Sequence, residues 1–119
     1  MRSAVLPVLH DLSSITWDGQ PIRTREPISF GLALEIGDGD SPGADLFYLS
    51  VCNPAFLSSK AYDDGWVWQD QMLVLETLSF ENVRIAVARK IEAMAPYPSW
   101  AGFAEQMAPF MGWEFAGMP

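Results

Sequence analysis

The chain has 119 residues, half of them hydrophobic and 13% aromatic, with fifteen acids, seven bases and a formal net charge of −8. That length can bury a core of real size, and the composition excludes a disordered tail as the main content. The acidic balance excludes a phosphate-backbone binder, which needs clustered Lys and Arg, so no nucleic-acid partner is expected.

Cys52 is the single cysteine, so no intrachain disulfide can form and nothing points to an oxidising compartment. The opening residues MRSAVLPVLHDLSS lack the unbroken apolar stretch of a signal peptide, and no run reaches membrane-spanning length. A cytoplasmic location without a membrane partner is the expectation.

In chain order, residues 3–17 read as an extended lead-in anchored by Val5, Leu9, Ile15 and Trp17. Pro7 lacks the N–H that a ladder needs, which limits this segment to an edge strand or none. Asp18-Gly19 is a turn signal, and residues 20–27 are polar and loop-like. From Ile28 to Ile36, Ile28, Phe30, Leu32, Leu34 and Ile36 alternate with small or polar residues, the signature of a strand with one apolar face. Turn formers fill Gly37–Gly43. The stretch from Ala44 then puts Phe47, Leu49 and Val51 on one side of a strand and Leu46, Tyr48, Ser50 and Cys52 on the other. Residues 28–52 therefore form an antiparallel hairpin with an acidic tip. Asp38-x-Asp40 opens like a calcium loop, but Pro42 stands where the third oxygen ligand is required, so a plain tip is expected and no metal site.

Asn53 is a good N-cap and Pro54 suits the first helical position, which predicts a helical turn over 54–60 that folds Phe56 and Leu57 back onto the sheet. Tyr62-Asp63-Asp64-Gly65 reads as a second acidic turn, leading through Trp66, Trp68 and Asp70 into a central strand over Gln71–Leu78. The two tryptophans belong either to the core or, flanked by acids and exposed, to a binding hot spot. Ser79 caps a helix with Phe80, Val83, Val87, Ile91 and Met94 on its core stripe, and Arg84, Arg89, Lys90 and Glu92 on a solvated face. Pro96 ends it. Ser99 opens a second helix with Trp100, Phe103, Ala104 and Met107 inward, Pro109 stops it, and Trp113-Glu114-Phe115 supplies a last short strand. The expected fold is α+β, a single domain with an antiparallel sheet of about three to five strands and two C-terminal helices packed on one face.

Catalysis needs a positioned base, nucleophile or metal. His10 is the lone histidine, and no phosphate loop, CxxC pair, HExxH or GxSxG occurs, so neither enzyme nor cofactor is expected. Charge is uneven instead: residues 1–79 hold eleven acids against four bases, and residues 80–119 hold four against three.

The strand ISFGLALEIG, its Gly/Asp tip, DLFYLSVCNPAFL, the apolar MLVLET, the amphipathic helix, PSWAGFAEQM and a closing WEF together resemble the immunity protein 8 family, encoded beside bacterial polymorphic toxins. The likeness runs from Ile28 to Phe115. It implies binding without catalysis: neutralisation of a cognate toxin. The shared residues Phe47, Val51, Pro54, Trp100, Trp113 and Phe115 read as structural. The contact surface is expected instead from charge, at Asp38, Asp40 and Asp45 around the hairpin and at Asp63, Asp64, Trp66 and Asp70 near the second turn. A nuclease toxin has a basic surface that such acids can occupy. The alternative is a self-assembling interaction module; monomer and homodimer both remain open.

Overall fold

The structure is a computed structural model that describes residues 4–39 and 42–117. Five strands and three helices follow in the order β1 (Pro7–Ser13), β2 (Ser29–Asp38), β3 (Asp45–Cys52), α1 (Pro54–Asp64), β4 (Met72–Val74), α2 (Phe80–Met94), α3 (Trp100–Met107) and β5 (Gly112–Trp113). The fold is α+β, as the sequence predicts. β2 and β3 pair antiparallel from Ser29↔Cys52 to Ile36↔Asp45, and the alternation places Leu32, Leu34, Ile36, Phe47, Leu49 and Val51 on one face. Against that face lie the stripes of the two C-terminal helices, Val83, Val87 and Ile91 from α2 and Phe103, Ala104 and Met107 from α3. Phe103 is the hinge of the aromatic packing, with ring centroids 5.6 Å from Phe47, 5.0 Å from Tyr97 and 5.1 Å from Trp100.

The lead-in is more structured than its sequence suggests. β1 pairs antiparallel with β2, with a bulge at His10 between Leu9 and Asp11, and its free side is a sheet edge where Pro7 is tolerated. Trp17 anchors as expected, stacked on Phe30 at 4.8 Å and edge-on to Phe80 at 4.9 Å. Ile15 does not: it is fully exposed. Gly19, at φ +85°, is required here because a Cβ would lie 2.2 Å from the Phe80 ring.

Three further expectations are corrected. The turn over 54–60 is a full helix to Asp64, ended by Gly65 in the left-handed conformation with its N–H donating to Ala61 O. The sheet is mixed, because a helix-length connection returns the chain to run β4 parallel to β3. Finally, Gln71–Leu78 is no central strand. One edge of β3 is divided between two short partners, β5 opposite Phe47 and Tyr48 and β4 opposite Ser50 to Cys52, so neither has room to extend. The chain leaves the sheet after Leu75, whose N–H reaches Cys52 O at 2.9 Å, and Leu78 bridges to Ile22 in the loop before β2.

The junction of β3 and α1 is held by one buried side chain. Asn53 Oδ1 accepts from Phe56 N at 3.0 Å, which caps the helix, and from Ile28 N at 3.2 Å. Its Nδ2 donates to Thr24 O at 3.1 Å and Glu26 O at 2.7 Å. Loop, sheet and helix thus share one amide.

Asn53→Ala removes a cap and strands buried backbone groups, and should cost about 3 kcal/mol in urea denaturation. Asn53→Asp keeps the cap but cannot donate to Thr24 and Glu26, so it should not restore the loss. Tyr97, buried, donates its O–H to Ile91 O, and burial raises its pKa. A raised pKa means the folded chain holds this proton more tightly. Its contribution is full below about pH 10 and is lost as pH climbs through the raised value. Tyr97→Phe should lose about 1 kcal/mol at neutral pH and show a shallower alkaline decline.

Candidate functional site

Downstream of the Gly65 cap the chain leaves α1 and crosses without regular secondary structure to β4. Every residue from Tyr62 to Asp70 is exposed. Tyr62 is 92% accessible, Trp66 53% and Trp68 88%, interleaved with Asp63, Asp64 and Asp70. Trp66 and Trp68 are therefore not part of the core. The other three tryptophans are packed: Trp17 under Phe80, Trp100 and Trp113 at the rim of the helix-covered face. Exposed aromatic area gathered in one segment is unusual on a protein surface unless it meets something.

The expected site residues fall into two groups. Asp63, Asp64, Trp66 and Asp70 share this one segment. At the hairpin end, Asp38 Oδ1 accepts from Leu6 N at 2.8 Å and so ties the residues before β1 to the end of β2. Asp40 lies outside the described residues. Asp45 faces the helices: its Oδ2 accepts from Trp100 Nε1 at 2.7 Å and from Trp113 Nε1 at 2.9 Å. That carboxylate joins β3, α3 and β5. Next to it Leu46 and Glu114 exchange two bonds, Leu46 N to the Glu114 carboxylate and Glu114 N to Leu46 O. The shared residues read as structural are placed accordingly, with Phe47 and Val51 buried, Pro54 at the start of α1, and Phe115 edge-on to Trp113 at 5.4 Å.

The face of the sheet away from α2 and α3 holds an open groove of about 540 Å³, lined among others by Ser13, Gly31, Ala33, Tyr48, Ser50 and Asp70. Gln71 closes one wall. It adopts φ +53°, rare for a residue with a Cβ, and is fixed there by bonds from Ser50 N to its carbonyl (3.0 Å), from its N–H to Pro109 O (3.2 Å) and from Nε2 to Ala108 O (2.9 Å). The sequence reading places Gly31, Tyr48 and Gln71 on strands and gives them no role. The signal that could have drawn notice is Gly31, a glycine inside an otherwise strongly patterned strand.

Groups with chemical potential are accounted for structurally. His10 Nε2 is 2.9 Å from Gly39 O at the bulge. Cys52 is fully buried, and desolvation raises its thiol pKa, which suppresses the reactive thiolate. Among the described residues no three His, Cys, Asp or Glu side chains gather as metal ligands, and no helix is long and apolar enough to cross a membrane.

Comparison with protein families gives a match to immunity protein 8 over residues 10–117. The matched stretch includes His10–Ser13 of β1, ahead of the Ile28 where the resemblance read from the sequence begins. Comparison with curated proteins and with solved structures gives no match.

Asp45→Ala should lower stability by about 2–3 kcal/mol, since two charge-assisted bonds go and two indole N–H groups lose their acceptor. Asp45→Asn, which keeps an acceptor oxygen, should cost less. Chemical denaturation followed by circular dichroism separates the two.

Proposed function

The chain belongs to the immunity protein 8 family, and from that premise we propose that it binds and neutralises a cognate bacterial toxin domain through the Tyr62–Asp70 segment. The observation that carries this reading is the exposure of Tyr62, Trp66 and Trp68 among Asp63, Asp64 and Asp70. Magnitudes divide the labour between them. Three aromatic rings, each burying roughly 150–250 Å² at about 25 cal/mol per Å², offer on the order of 10 kcal/mol gross. Association costs about 4–15 kcal/mol, so anchors of this size are needed. Exposed ion pairs contribute only about 0–1 kcal/mol each, too little to hold a complex. The carboxylates serve orientation and encounter rate instead, which suits a toxin with a basic surface such as a nuclease. Asp38 at the end of β2 adds negative charge to the surface. No bond is made or broken, no cofactor takes part, and the site of action is the cytoplasm.

Copurification with the toxin domain encoded beside this chain's gene tests the reading. Trp66→Ala with Trp68→Ala should weaken binding by at least a hundredfold, about 2.7 kcal/mol, while leaving the fold intact. Charge reversal at Asp63 and Asp64, or at Asp38 and Asp40, should slow association and flatten its salt dependence. Neutralisation unchanged in all three variants would overturn the proposal.

A further inference from the structure

The second face of the sheet is covered at one end and bare in the middle. Cys52 points to that face and is fully buried, whereas Ser50 is half-buried and Tyr48 half-exposed further along β3. Between them, across β2 and β3, lies the groove of about 540 Å³, its rim carrying Ile15, Tyr48 and Asp70. Two observations bear on what fits there.

The first is charge. The five strands contain no Lys or Arg. Of the acids on this face, Asp11 sits directly across from Glu35 in the register and has Arg84 at 3.6 Å, while Glu35 and Asp70 are exposed. The charged side chain that lines the groove is thus an acid, Asp70, and a cation is its complement.

The second is Gly31. Strand-interior glycine weakens a strand, so a reason is normally visible in the backbone or the packing. Gly37, also in β2, has one, since a Cβ there would lie 2.5 Å from Gly43 O. Gly31 has none: its φ is not positive and a Cβ would meet nothing within 4 Å. The fold tolerates a side chain at this position, and the floor is left low all the same. It pairs with Ser50, next to Ala33, which pairs with Tyr48.

We propose that this groove receives a basic segment of the cognate toxin, a Lys or Arg side chain lying along Gly31 and Ala33 beside the Tyr48 ring with its charge at Asp70. The inference rests on the toxin-binding reading and extends the contact from the exposed aromatic segment to the sheet, with Asp70 common to both. The test titrates the purified toxin domain into the wild-type chain, Gly31→Trp and Gly31→Ala, with thermal melts of each. Gly31→Trp should melt no lower than the wild type yet bind at least a hundredfold more weakly, while Gly31→Ala should bind within about threefold. Should the tryptophan variant fail to fold, Ala33→Arg, which sets a fixed cation on the floor, should give the same loss. Wild-type binding with undiminished binding by a folded groove variant overturns the groove and leaves the functional reading standing. No binding by the wild type overturns the functional reading, and the groove proposal with it. A wild-type dimer in sedimentation that Gly31→Trp dissociates, with toxin binding intact, overturns the groove in favour of a second copy of the chain.

Discussion

The carboxamide of Asn53 makes four hydrogen bonds, two given and two received, to the loop at Thr24 and Glu26, to Ile28 at the start of the hairpin and to the first turn of α1. Few side chains of that length offer two donors and two acceptors, and the site is closed to water. The consequences are geometric. The start of β2, the loop that leads into it and the first turn of α1 are locked to the end of β3, so the helix can leave the sheet in one direction only. With Gly65 terminating the helix eleven residues on, the direction and length of α1 set where the aromatic and acidic residues emerge.

A second constraint acts at the edge of β3. Two short strands share it, one arriving from α1 and one from α3, and Gln71 in a left-handed conformation bridges them through Ser50, Ala108 and Pro109. Asp45 performs the matching task on the other face, with one oxygen on two indoles from different elements. Short pieces with little propensity of their own are thereby held by specific polar contacts, and the core is left to the β2–β3 hairpin and the two C-terminal helices. Between the Gly65 cap and Gln71 the chain has no regular secondary structure, and its side chains from Trp66 to Asp70 are exposed.

The hairpin, both C-terminal helices and their caps at Ser79 and Ser99 were legible in the sequence, because alternation, 3.6-residue spacing and capping residues are local signals that tertiary contacts here reinforce. Gln71–Leu78 was misread as a central strand because two apolar faces look alike in a buried strand and in a short edge strand half-covered by helices. The parallel pairing of β4 was hidden for the same reason: it depends on how far α1 runs, and nothing between Ser58 and Tyr62 marks the difference between one turn and three. At the candidate site, Asp63, Asp64, Trp66 and Asp70 could be grouped by proximity along the chain. Asp45 could not be set apart from them, because its partners Trp100 and Trp113 lie 55 and 68 residues away. The open groove was invisible for a similar reason, being assembled from strands β1, β2 and β3 together with Asp70 and Gln71.

The bare aromatic segment also bears on how the molecule survives alone. Tyr62, Trp66 and Trp68 would adhere to one another between copies as readily as to any other apolar surface. A surplus of eight negative charges, concentrated in the first two thirds of the chain and interleaved with those rings, makes every pair of copies repel at the range where the rings would begin to touch. The acidity then works as a colloidal guard over the exposed rings.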